Sequence, residues 1–227
     1  MGKGDVVIVM PAFNEEKVIT EVIGSVKKKG FNDIIVVDDG SSDKTSSKAK
    51  KAGAQVITLK KNKGVGNATR KGIKYALSTK ADVIVTFDSD GQHCADDIKK
   101  VTSPIINKEV DVVIGTRLKN PKGMPLIRII GNFGLNLITY LLFFVWTTDS
   151  QSGFKAFSRR AASKIEIKST GMEFCSEIIK EIGAKKLRYK EVPIKTIYTV
   201  YSISRGQSSL NGFRIFGRLL LIRFGWY

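Results

Sequence analysis

At 227 residues, 42% of them hydrophobic, the chain is long enough for one α/β domain with a sizeable core, and its 26% charged content excludes a multi-span membrane protein. Lysine and arginine outnumber aspartate and glutamate by 38 to 21, and the resulting net charge of +17 predicts anionic company: nucleic acid, acidic lipid headgroups or phosphorylated substrates. Polar loop chemistry already at Asn14 predicts no signal peptide, and Cys94 and Cys175, which lack metal-ligand spacing, suit a reduced, cytosol-facing protein.

In chain order, the first half alternates short β-branched runs with amphipathic segments. Residues 6–10, 34–38, 55–59, 82–87 and 111–115 read as buried strands. Residues 15–29, 43–52, 65–78 and 95–107 read as the helices between them. This alternation predicts right-handed crossovers, a mainly parallel sheet flanked by helices, and a ligand at the carboxyl ends of the strands. The second half changes character. Residues 124–146 form a long apolar stretch opened by Pro125, and as a helix it would carry Arg128, Asn132, Asn136 and Thr139 on one narrow stripe. Such a helix is either buried between sheet and tail or lies at a lipid surface, and its polar stripe favours the second. A Ser-Gly-Phe-Lys segment, a helix near 173–182, a strand near 188–194 and a basic, aromatic tail follow.

Three strand ends carry polar signatures. The first strand runs into Pro11-Ala12-Phe13-Asn14-Glu15-Glu16, the second into Asp38-Asp39-Gly40-Ser41-Ser42-Asp43, the fourth into Asp88-Ser89-Asp90-Gly91-Gln92-His93. A parallel sheet brings all three to one edge. Two carboxylates one residue apart suit a hard divalent cation that keeps waters and substrate phosphates. A lone Asp-x-Asp is usually a solvated loop, but this one follows Val83-Ile84-Val85-Thr86-Phe87, too apolar for a surface loop. Asp38 and Asp39 exceed what helix capping needs when Asp43 can cap the next helix unaided. Gly64-Val65-Gly66 lacks the third glycine of a dinucleotide fingerprint, Thr69 standing in its place, and reads as a tight turn.

The segments Pro11-x-Phe13-Asn14-Glu15, Val36-Val37-Asp38-Asp39-Gly40-Ser41-x-Asp43-x-Thr45 and Asp88-x-Asp90-x-Gln92-His93 resemble the inverting glycosyltransferase family 2. The likeness extends to Gly115-Thr116-Arg117, to Asp149-Ser150-Gln151-Ser152-Gly153-Phe154-Lys155 and to Glu191-Val192-Pro193-Ile194, where it is similar to the polyprenyl-phosphate sugar synthases, the branch that includes dolichol-phosphate mannose synthase. The resemblance implies a GT-A fold, a Rossmann-like, mainly parallel α/β sheet, over residues 1–210. Residues 1–117 would form its nucleotide-sugar half and 118–210 its acceptor half. It further implies a UDP- or GDP-sugar donor, with UDP-sugars favoured over GDP-mannose, inverting transfer, and a polyprenyl (dolichyl) phosphate acceptor.

By position, the resemblance gives Pro11, Phe13, Glu15, Val37 and Asp39 to the nucleoside. Asp88, Ser89, Asp90 and Gln92 go to the diphosphate, with Asp88, Asp90 and Gln92 holding Mg²⁺ or Mn²⁺. Arg117, Arg128 and Asn132 meet the acceptor phosphate, which guanidinium forks suit. Asp149 is either a base for a hydroxyl acceptor or structural, because an anionic phosphate nucleophile needs no base. Arg205, in a shifted register with Ser209 where relatives carry lysine, is a donor-phosphate candidate. His93 reads as a helper behind the site or a helix-start residue, not a catalyst.

The tail, 211–227, mixes apolar residues with Arg214, Arg218 and Arg223 and reads as a membrane-interfacial segment, with a truncated membrane span as the rival. Together with the charge, this predicts an anionic membrane surface as partner and the cytoplasmic face as location. Two other readings stand beside it: a transferase with a saccharide hydroxyl acceptor, and a non-catalytic nucleotide-binding module. No nucleic-acid-binding module is recognisable, so nucleic acid is not expected.

Overall fold

Alternation of side chains along each strand puts one apolar row on each side of a sheet, and this chain uses both rows. In a computed structural model that describes residues 5–119, 121, 123–198 and 210–223, the strands are β1 (Val6–Ala12), β2 (Ile34–Asp38), β3 (Gln55–Thr58), β4 (Val83–Thr86), β5 (Val112–Thr116), β6 (Lys155–Ser158) and β7 (Tyr189–Pro193). The helices are α1 (Ile19–Lys28), α2 (Thr45–Lys51), α3 (Val65–Leu77), α4 (Asp97–Ile106), α5 (Leu126–Phe143), α6 (Arg159–Lys164), α7 (Phe174–Ala184) and α8 (Leu210–Arg223). Val7, Val9, Ile35, Val37 and Ile84 face α3 and α7 on one side of the sheet. Ile8, Met10, Val36, Val85 and Phe154 face α1 and α4 on the other.

The seven strands run in the order β3-β2-β1-β4-β6-β5-β7. β1 pairs in parallel with both β2 and β4, so strand order reverses there and a crevice opens beyond their carboxyl ends. The predicted strands and helices are all present, with ends shifted by a few residues, but β3, expected to be buried, is a half-exposed strand at the sheet edge. The Ser-Gly-Phe-Lys segment, to which the sequence reading gave no element, leads into a strand, β6, that begins at Lys155 and is antiparallel to both β4 and β5. Its insertion has a consequence for the site. Thr86 pairs with Lys155, so the segment entering β6, from Asp149 to Phe154, arrives at the same edge as the carboxyl end of β4.

α5 is turned the opposite way from a soluble amphipathic helix. Its buried residues are Asn136 and Thr139, whereas Leu126, Ile127, Ile130, Phe133, Leu137 and Leu141 are exposed. The polar stripe faces the protein and the apolar face is outside, so the buried-core alternative for this stretch does not hold. α8 packs on α5 through Ile215, Leu219 and Ile222, which meet Leu135, Ile138, Leu142, Phe143 and Met172. The part of the tail that the structure describes is therefore a packed helix.

Candidate active site

The cleft grows out of the strand ends. At the end of β1 and just beyond it, Pro11, Phe13 and Glu15 line the cleft. Ser89 donates to the Pro11 carbonyl at 2.7 Å, tying the end of β4 to the end of β1. Asp43 bridges the next loop, its carboxylate accepting from the backbone N–H of Glu16 at 3.1 Å and of Thr45 at 2.9 Å. Asp39, just past β2, accepts from the backbone N–H groups of Lys63 at 2.9 Å and Gly64 at 2.7 Å. Burial raises its pKa, opposed by those two hydrogen bonds. Gly64 sits at φ +93 before α3, and a Cβ there would lie 2.2 Å from the Thr170 carbonyl oxygen, so the turn that presents Asp39 requires glycine. The resulting cavity is about 580 Å³, large enough for a nucleotide-sized ligand.

Asp88 and Asp90 line the cleft just beyond β4. His93, buried between the rings of Phe87 and Phe154, directs Nε2 to Asp88 Oδ2 at 2.9 Å. Gly153 lies so close that a Cβ on it would be 2.5 Å from both Asp88 carboxylate oxygens. Lys155, fully buried on β6, donates to the Ser152 carbonyl behind the same carboxylate. Burial alone would raise the Asp88 pKa, but the contact with His93 and the charges of Arg117 and Lys155 hold it below the ordinary carboxylate value. Asp90 goes the other way, raised by burial and by the charge of Asp88.

No group of three or more His, Cys, Asp or Glu side chains that could hold a metal occurs among the described residues. Two neighbouring carboxylates fit a divalent cation whose remaining ligands are phosphate oxygens and water, the habit of Mg²⁺ and Mn²⁺, and do not fit a closed all-protein cage.

Arg117, Arg128 and Asn132 line the same cleft, and Arg117 is near enough to Asp88 for the two charges to act on each other. Arg117 is locked: its backbone N–H and Nε donate to Asp149 Oδ2 at 2.9 and 2.8 Å, and Nη2 donates to Oδ1 at 2.7 Å. Burial works against the guanidinium charge, but the attraction and hydrogen bonds of Asp149 outweigh it, so its pKa lies above the ordinary value. Asp149 itself is fully buried and does not line the cleft. Both of its oxygens are engaged by Arg117.

Of the predicted residues, Pro11, Phe13, Glu15, Asp39, Asp88, Ser89, Asp90, Gln92, Arg117, Arg128 and Asn132 are brought together around the cavity. Val37 is not among them; its side chain is buried in the core against α3, because strand alternation turns it to the sheet face and not to the strand end. Arg205 lies outside the described residues. Asn62, Val65, Ile127, Leu135, Gln151 and Met172 also line the cavity and carried no predicted role. Gln151 stood inside a quoted motif, but only the antiparallel β6 brings it here.

Comparison with known proteins agrees with this arrangement. Residues 7–166 match Glycosyl transferase family 2. The UDP-N-acetylglucosamine–dolichyl-phosphate N-acetylglucosaminyltransferase of Methanococcus voltae is 44% identical over 96% of this chain and 96% of its own length. The dolichol-phosphate mannosyltransferase of Pyrococcus furiosus is 31% identical over 92% of this chain and 60% of its own length. Among solved structures, glucosyl-3-phosphoglycerate synthase of Mycobacterium tuberculosis, crystallised with Mn²⁺, UDP and glucosyl-3-phosphoglycerate, superposes with a TM-score of 0.70 at 20% identity, covering 99% of this chain and 81% of the other. With a family match spanning most of its length and a carboxylate pair at the switch point of a GT-A sheet, the chain belongs to glycosyltransferase family 2 and is a glycosyltransferase.

Proposed function

We propose that this glycosyltransferase moves a sugar, with inversion, from a nucleotide-sugar to a polyprenyl (dolichyl) phosphate at the cytoplasmic face of a membrane, with UDP-sugars favoured over GDP-mannose. One observation carries the reading: a single cleft is lined by the carboxylates Asp39, Asp88 and Asp90 together with the guanidinium groups of Arg117 and Arg128, and α5, which contributes to that lining, has its apolar face outside. The donor's nucleoside would lie against Pro11, Phe13, Glu15 and Asp39. Its diphosphate would lie at Asp88, Ser89, Asp90 and Gln92. Asp88 and Asp90, with Gln92 alongside, would hold Mg²⁺ or Mn²⁺, which supplies Lewis-acid neutralisation of the leaving diphosphate.

Arg117 and Arg128, with Asn132, would hold the acceptor phosphate against the anomeric carbon. A phosphate oxygen forms the new bond to that carbon as the bond to the donor diphosphate breaks, and the electron pair leaves with the nucleotide. No proton moves, so no base is needed. The commitment of Asp149 to Arg117 suits this acceptor better than a hydroxyl acceptor, which would need one.

The outward face of α5 supports a lipid surface. Phe144, which ends the helix at φ 57, is 76% exposed. That position favours glycine or asparagine for stability, and an exposed phenylalanine is explained by apolar contact outside the protein. By length and composition α5 could also cross a membrane. Its polar stripe is used against the protein, which favours a helix lying in the interface. Basic residues near an anionic surface add ~1 kcal/mol each.

Incubating the protein with Mn²⁺, polyprenyl phosphate and each of UDP-N-acetylglucosamine, UDP-glucose and GDP-mannose tests the proposal. Formation of a lipid-linked sugar phosphate, lost in Asp90→Ala, is the expected result. Transfer to saccharide hydroxyls with none to the lipid phosphate would overturn it.

A further inference from the structure

One side of α5 contributes a row of residues to the cleft. Ile127, Gly131 and Leu135 recur at every fourth position, so they lie one above another on the same side of the helix, and all three line the cavity. Arg128 and Asn132 form the neighbouring row by the same spacing and line the cavity too. An apolar row thus runs beside the two α5 side chains assigned to the acceptor phosphate, and its middle position has no side chain.

Nothing in the described part of the protein requires that gap. A Cβ built on Gly131 would meet no atom of the described residues within 4 Å, its chain neighbours and its own helix backbone aside. Gly131 is exposed, and it lies inside α5 with helical backbone, not at a turn or a cap. Glycine in a helix interior destabilises the fold relative to alanine, because its unfolded chain has more freedom to lose. Neither close packing nor a special backbone conformation offsets that cost here. Gly134 on the same helix is equally unhindered but does not line the cleft.

Ile127 and Ile130, beside the gap, line the cleft and are at the same time exposed on the outer face of α5. The cleft therefore opens at this point onto an apolar surface. A molecule with its phosphate at Arg128 and Asn132 and an apolar remainder would leave the cleft over Gly131. The space there is what a methyl group would fill, and a polyprenyl phosphate carries a methyl branch in the unit next to its phosphate.

We propose that Gly131 is a specificity-determining residue for the acceptor: the space left by its missing side chain receives the methyl branch of the carbon unit next to the phosphate. This rests on the lipid-phosphate reading above and adds to it a reason for a branched chain to be chosen over a linear one. The donor takes no part in the contact.

The test compares wild type, Gly131→Ala and Gly134→Ala on two acceptors: a short saturated prenyl phosphate and the unbranched alkyl phosphate of the same main-chain length. Both variants should raise the folded-to-unfolded ratio about two- to fivefold in urea titrations, as expected when an unhindered helical glycine becomes alanine. Wild type should prefer the branched acceptor. In Gly131→Ala the new methyl competes with the branch for one space, and kcat/KM for the branched acceptor should fall about five- to 150-fold. The unbranched acceptor should lose much less, so the preference narrows, whereas Gly134→Ala should keep the wild-type preference. A Gly131→Ala variant with the same preference as Gly134→Ala would overturn the assignment, as would a loss of stability, which would mean that the space is not open. Calorimetry of UDP with Mn²⁺ reads the donor side separately, and an equally large loss there would also overturn it. Failure of wild type to transfer to either phosphate while using a saccharide hydroxyl would instead overturn the lipid-phosphate reading, and this inference with it.

Discussion

Replacing Asp149 by asparagine separates the two roles open to that residue. In wild type its carboxylate takes three hydrogen bonds from Arg117, two on Oδ2 and one on Oδ1. An asparagine whose oxygen occupies the Oδ2 position keeps the backbone and Nε contacts. It turns an NH₂ group toward Nη2, losing one charge-assisted bond and the ion pair. A hydrogen bond to a charged group contributes about 1.5–3 kcal/mol, and that is the expected loss of stability in urea titrations. Alanine removes all three contacts and leaves a largely buried guanidinium uncompensated, for which about 3–5 kcal/mol is expected. Transfer should follow geometry in the same order. Asparagine still holds the guanidinium, so kcat/KM for polyprenyl phosphate should drop about ten- to a hundredfold, in line with the lost bond. Alanine should do more damage, through the acceptor KM. Single-turnover transfer assays beside the melts provide both numbers. If asparagine instead abolishes kcat while the urea midpoint stays at the wild-type value, Asp149 acts on the substrate and the positioning argument is wrong.

Gly153→Ala pushes a methyl group to 2.5 Å from the Asp88 carboxylate oxygens; Mn²⁺-dependent UDP binding should fall at least tenfold by calorimetry, a loss of about 1.4 kcal/mol, and wild-type affinity would contradict the cradle. Because Asp90 is raised above the ordinary carboxylate value by burial and by Asp88, protonation of Asp90 should compete with Mn²⁺ as pH falls. Mn²⁺ binding should then weaken at a higher pH than for an isolated carboxylate, and a flat profile of Mn²⁺ affinity across the mildly acidic range would argue against Asp90 as a ligand. Arg128→Ala should raise KM for polyprenyl phosphate and leave UDP binding near wild type; equal loss of both would mean that donor and acceptor ends are not separate. Phe144→Asn, at a left-handed position asparagine tolerates, should weaken flotation with anionic vesicles without lowering stability. Deleting α8 would be a poorer probe, since Ile215, Leu219 and Ile222 are packed on α5 and Arg218 pairs with Glu173.

The residues at the ends of β1, β2 and β4 were legible from the sequence because each follows an unbroken apolar strand, and a parallel sheet leaves such ends only one edge to share. The same reasoning located the carboxylate pair Asp88 and Asp90 and the stripe from Arg128 to Thr139, since periodicity along one element is local information. Val37 was misassigned for the complementary reason: motif position says nothing about which face of the sheet a side chain takes, and pleating turned it into the core. What the sequence alone determined is this set of local alternations and termini.

Only the tertiary structure decided what depended on contacts between distant segments. β6 is four residues long and no pattern within it predicts antiparallel pairing between β4 and β5; that pairing is set by its two neighbours. From it follow the approach of Gly153 to Asp88 and the arrival of Gln151 in the cleft. Asp149 and Arg117 are 32 residues apart, so their ion pair is written in neither motif. The outward apolar face of α5 was equally undetermined, because an apolar helix with one polar stripe can bury either side. Here Asn136 and Thr139 find hydrogen-bond partners in the 147–151 loop and in α7, and those partners pull the polar side inward and leave the apolar side out.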